Sequence, residues 1–124
     1  MIRPATDHAA PYAALIPSAL VDAGIGVVSA LATTRRSGLN THLLVRVDLD
    51  HDALTAEELR RLIAAVVAHA DMPASFLDLL VRGPGGEDLD LVPLIAALGA
   101  RPIRGAFTGL RMADARAIAD GGVR

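Results

Sequence analysis

Three aspartates alternate at Asp48, Asp50 and Asp52, the spacing with which a calcium-binding loop begins. Such a loop next needs a glycine to turn and a bidentate glutamate at its twelfth position, where this chain has Ala53 and Leu59. Aspartates that leave a strand and enter a helix N-terminus are expected on solvation and dipole grounds alone. The histidines, His8, His42, His51 and His69, contain no His-x-x-x-His pair that would put two imidazoles on one helical face. His42 and His51 bracket one extended segment and would lie about 30 Å apart along it, too far to share a metal there. The chain has no cysteine, which removes thiolate nucleophiles, disulfides and Cys-ligated metals. It also has no lysine, which removes Schiff-base chemistry and the P-loop lysine. The reading is of no metal site, no cofactor and no catalytic residue.

Two weaker signals remain. The run Arg82-Gly83-Pro84-Gly85-Gly86 follows an expected strand and precedes an expected helix, where backbone N–H groups can cradle an anion. Gly83, Gly85 and Gly86 are therefore candidate ligand-loop residues, although Glu87, Asp88 and Asp90 would repel phosphate and a plain turn explains the glycines equally. Ser18, Ser29, Ser37 and Ser75 include no Gly-x-Ser-x-Gly elbow, and none stands at a recognised spacing from a histidine.

Composition narrows the partners. The 124 residues carry 12 basic and 14 acidic side chains, a net charge of −2, and are 52% hydrophobic. That suits one folded domain and excludes a disordered chain. The arginines are scattered among more numerous carboxylates, and Tyr12, Phe76 and Phe107 are the only aromatics. Neither a phosphate-tracking surface nor a base-stacking platform follows, so no nucleic-acid partner is expected. Mean hydropathy is +0.43, and residues 9–34 contain Asp22 as their only charge. Pro11, Pro17, Gly24 and Gly26 interrupt that stretch, and a buried aspartate would cost about 2.5–3.5 kcal/mol in a bilayer. A basic start is also lacking, so the expectation is a cytoplasmic protein with no membrane contact.

The elements that would hold these residues can be read from periodicity. A helix is predicted over 11–23, with Pro17 awkward unless it lies in the first turn. A strand over 27–34 leads into a loop from Arg35 to Asn40. Residues 41–50 alternate strictly, with Leu43, Val45, Val47 and Leu49 on one face and His42, Leu44, Arg46 and Asp48 on the other. Thr55 and Glu58 form a capping box, after which Leu59, Leu62, Ile63, Val66 and Val67 trace one helical stripe ending near His69 and residues 71–73. Residues 75–82 repeat the alternation, with Phe76, Asp78, Leu80 and Arg82 opposite Leu77, Leu79 and Val81. A helix over 91–98 capped by Asp90, an edge strand over 101–110 and a short helix over 113–120 complete the chain. The order α-β-β-α-β-α-β predicts an α+β two-layer sandwich with about four strands, mixed or antiparallel, and helices on one face. A single domain over 1–124 is expected, with its core at about 12–110 and a short helix and tail after it.

If the second and third strands are neighbours, His42, Leu44, Arg46 and Asp48 lie beside Phe76, Asp78, Leu80 and Arg82. A solvated face with cross-strand ion pairs is one reading of these eight residues. An interaction surface is the other, because Leu44, Phe76 and Leu80 would make an apolar patch within it.

Four stretches together resemble the C-terminal domain of the SseB family, the enhanced serine sensitivity proteins. They are the helix leading into Val27-Val28-Ser29-Ala30-Leu31-Ala32, and the strand Thr41-His42-Leu43-Leu44-Val45-Arg46-Val47-Asp48-Leu49-Asp50 with its acidic end. The others are the proline-preceded Met72-Pro73-Ala74-Ser75-Phe76-Leu77-Asp78-Leu79-Leu80, and the closing segment from Ile95 through Pro102 to Phe107. The resemblance implies a standalone copy of that family's second domain, without its usual first, and it carries over no catalytic residue. The expected protein is then a small non-enzymatic domain working by protein–protein contact, with a protein partner or as a homo-oligomer. An ACT or ferredoxin-like regulatory domain that binds a small molecule such as an amino acid near Gly83 to Gly86 is the alternative. A small enzyme using Asp48, Asp78 or His42 is the third.

Overall fold

The computed structural model describes residues 11–69 and 74–121, with side chains from residue 15. His8, the expected helix stop at 71–73, the Met72-Pro73 part of the resemblance and the tail beyond 121 lie outside the described residues. Within them the chain runs α1 (Pro11–Asp22), β1 (Val27–Ser37), β2 (Asn40–Leu49), α2 (Ala56–Ala68), β3 (Phe76–Arg82), α3 (Val92–Ala97), β4 (Thr108–Arg111) and α4 (Met112–Ala119). The four strands lie in the order β1-β2-β3-β4. β1 and β2 are antiparallel, β2 and β3 parallel, and β3 and β4 antiparallel. The fold is therefore the expected α+β sandwich, built on a mixed sheet.

The layers follow from the alternation. Leu43, Val45, Val47 and Leu49 of β2 and Leu77, Leu79 and Val81 of β3 are buried on one side of the sheet. Ile16 and Leu20 of α1, Leu59, Leu62, Ile63 and Val66 of α2, Ile95 of α3, and Met112, Ala115 and Ile118 of α4 join them in a single core. The core thus extends past residue 110, because α4 presents three apolar residues at helical spacing. Thr55 and Glu58 form the capping box, with Glu58 N–H donating to Thr55 Oγ1 at 3.1 Å and Thr55 N–H to Glu58 Oε1 at 2.9 Å. His69 stands at the C-cap of α2. α1 runs through Pro17, which can donate no N–H to the carbonyl of Ala13.

Three element boundaries differ from the expectation. Arg35, Arg36 and Ser37 belong to β1, since Ser37 pairs with Asn40 and leaves a two-residue turn at Gly38 and Leu39. Gly38 has φ 62°, and the positive value at the first turn position alone is the type II′ pattern that suits a two-residue hairpin. The predicted last strand shrinks to Thr108–Arg111. Pro102 lacks an N–H for a ladder, and residues 101–107 instead fold back so that Ile103 and Gly109 exchange hydrogen bonds of 2.7 and 2.8 Å. α3 is shorter than expected and its N-cap is Leu91, although Asp90 Oδ1 still accepts from Val92 N–H at 3.1 Å. It ends in a Schellman motif, with Gly99 N–H bonded to the Ala96 carbonyl and Ala100 N–H to that of Ile95.

The parallel strands β2 and β3 are direct neighbours joined by α2. A ferredoxin-like split βαβ unit needs another strand between them, so the topological ground for the ACT-like alternative is absent.

Candidate functional site

Among the described residues no element covers the second face of the sheet. Its rows follow from the pairing register. Arg35, His42, Phe76 and Arg111 form one row; Thr33, Leu44, Asp78 and Gly109 the next; then Leu31, Arg46 and Leu80; then Ser29, Asp48 and Arg82. All eight residues expected on this surface are there, each half-buried. Leu44 lies diagonal to Leu31, Phe76 and Leu80, within the roughly 7–8 Å over which such cross-strand neighbours meet. The patch is apolar at its centre and charged around it.

The polar residues are paired across strands. His42 Nδ1 lies 2.8 Å from Asp78 Oδ2. The ionised carboxylate can only accept, so His42 Nδ1 carries the proton. The imidazole stacks on Phe76, with ring centroids 4.8 Å apart. Gly109 leaves room for Asp78, since a Cβ there would come within 2.7 Å of Asp78 Oδ1. At the other end Ser29 Oγ donates to Asp48 Oδ2 at 2.8 Å and Arg82 Nε to Asp48 Oδ1 at 3.0 Å. The Ser29 hydroxyl first, then the Arg82 guanidinium, hold the Asp48 carboxyl below the usual carboxylate range against the opposing effect of partial burial. Arg46 sits between them with its Nε buried and without a hydrogen-bond partner.

A cleft of about 290 Å³ opens beside the His42–Asp78 pair, walled by Arg35, Leu44 and the fold-back at residues 103–107. A histidine held by a carboxylate is the beginning of an acid–base site. Asp78 is the one side chain hydrogen-bonded to His42 among the described residues, so no hydroxyl nucleophile is placed on the imidazole.

No family model, curated protein or solved structure matches the chain.

Asp50 and Asp52 do not join Asp48. Asp50 Oδ1 instead accepts from His51 Nδ1 at 2.8 Å, and that bond raises the His51 pKa against a smaller opposing effect of burial. Among the described residues no three His, Asp or Glu side chains converge as metal ligands. The Gly83-Pro84-Gly85-Gly86 loop is a tight turn, with Gly86 N–H bonded to the Gly83 carbonyl at 3.0 Å. The Glu87 carboxylate lies over Gly83 and Gly85, where it would meet a Cβ on either at 2.6 to 2.9 Å. A negative group already occupies the place an anion would take.

Sequence reasoning missed Leu31, Arg35, Gly109 and the fold-back, all of which border the face. Leu31 and Arg35 could have been found by continuing the period-two alternation of β1 through Arg36. The fold-back has no local signal, because it depends on a bridge between residues 103 and 109.

No helix among the described residues is long and apolar enough to cross a membrane.

Proposed function

We propose that this chain is a small non-enzymatic interaction domain of the SseB C-terminal kind, which acts in the cytoplasm by protein–protein contact with a second copy of itself. The observation that supports this reading is the uncovered sheet face, whose apolar patch runs from Leu44 out to Leu31 on the border strand β1, 57% exposed. Burying the Leu31 border of that patch against a second copy stabilises association by about 25 cal/mol per Å² of apolar surface removed from water. A copy of the same chain suits the face better than a strongly acidic or basic partner. Arg35, Arg46, Arg82 and Arg111 stand there beside Asp48 and Asp78, so both signs are offered together.

Light scattering over a wide concentration range tests this. The expected result is a mass above that of one chain, falling on dilution. Leu31→Arg changes an exposed position and leaves the fold intact, but should weaken association by about tenfold, the equivalent of about 1.4 kcal/mol. A single-chain mass at every concentration overturns the reading.

A further inference from the structure

The two edges of the sheet are treated differently. At one edge β4 is only four residues long, and its outward groups at Gly109 are taken by Ile103. At the other, β1 runs for 11 residues, and among the described residues nothing pairs with its outer side. Long unpaired strands are templates for another strand.

The ladder fixes which groups of β1 face outward. The Thr41 carbonyl accepts from Ser75 N–H at 2.8 Å, so Thr41 directs its backbone toward β3 and away from β1. Its partner Arg36 is then a non-hydrogen-bonded position of the β1–β2 ladder and directs its own N–H and C=O outward. By alternation Thr34, Ala32 and Ala30 do the same. The ladder shifts register between Val27 and Ser29, which ends the regular edge there. Four residues, Ala30, Ala32, Thr34 and Arg36, therefore offer a complete set of outward donors and acceptors.

We infer that two copies of this chain join edge to edge through antiparallel β1 strands, with Ala30 opposite the partner's Arg36 and Ala32 opposite the partner's Thr34, into one eight-stranded sheet. This inference rests on the self-association proposed above and adds its geometry. The register is chosen because it satisfies all four outward residues on both strands. A shift by one pair sets Arg36 against the irregularity at Val28.

The side chains agree with this register. Ala30 and Arg36 lie on the helix side of β1, opposite Val47 and Thr41. Beside Ala30 a hollow of about 340 Å³ separates β1 from α1, lined by Pro17, Ser18, Val21, Asp22 and Ser29. The partner's Arg36 enters this hollow and meets Asp22, which is exposed and has no ion-pair partner among the described residues. The two-fold axis repeats the contact, so each dimer has two Arg36–Asp22 pairs. On the open side Leu31 falls opposite the stem of the partner's Arg35, and the two apolar patches become one surface.

A charge-reversal cycle tests the geometry by sedimentation equilibrium. Asp22→Arg and Arg36→Asp both alter exposed side chains, and thermal melts of each variant check that the fold is kept. Each reversal alone should weaken the dimer by about tenfold or more, because like charges then face each other twice. The double variant should regain at least most of the affinity. If the wild-type chain associates but single reversals leave it unchanged, or the double variant is no better than either single, the register is overturned while self-association stands. A chain that stays monomeric overturns both.

Discussion

At the scale of single residues, the surroundings of Asp48 tie stability to pH. Ser29 and Arg82 lower its pKa on folding. A carboxyl with a folded pKa below its unfolded value adds stability above the unfolded value, about 3.9, and loses it as pH falls through the folded one. Asp48→Asn should therefore lower the urea midpoint at neutral pH, and the gap to wild type should close as pH drops below about 3.9. A gap that stays constant to the acid limit would mean that Asp48 contributes through shape and not charge. The pairing of Arg82 with Asp48, and of His42 with Asp78, was foreseeable once alternation set these residues on one face. That Arg46 would remain unpaired was not, because the sequence places Asp48 and Asp78 equally within its reach and only the packed side chains choose.

Among the elements, α2 is the one whose limits were written most plainly in local sequence. Its N-cap, its capping box and its buried stripe all depend on residues within about three turns of each other. Thr55→Ala removes the acceptor for Glu58 N–H and should cost about 0.5–2 kcal/mol in urea unfolding, with the slope unchanged. A loss below a few tenths of a kcal/mol would mean that Glu58 N–H finds another partner. β2 and β3 were equally legible, since a strict period of two has no helical interpretation. β1 and β4 were not. Arg35 and Arg36 look like loop residues until the Gly38 turn fixes the hairpin at two residues. Residues 101–107 look like an edge strand until Pro102 and the Ile103–Gly109 bridge turn them back. Both errors fall at the margins of the sheet, where pairing with distant residues outweighs local preference.

For the whole molecule, the fold is a sheet with one greasy side sealed by four helices, one short edge closed by its own chain, and one long edge that has no partner strand among the described residues. Composition and segment order sufficed for the two layers. Strand order did not follow from them, and the contrast between the two edges could be seen only once that order was known. The proposed self-association rests on this strand, where among the described residues Ala30, Ala32, Thr34 and Arg36 have no partner for their outward N–H and C=O groups and Leu31 is exposed beside them. Amide hydrogen exchange of Ala30, Ala32, Thr34 and Arg36, followed by NMR at low and at high protein concentration, reads that edge directly. Edge-to-edge pairing predicts fast exchange at these four amides in dilute solution and protection that grows with concentration, whereas Leu31 and Thr33, already bonded to β2, stay protected throughout. Exchange at the four amides that is the same at every concentration would contradict it.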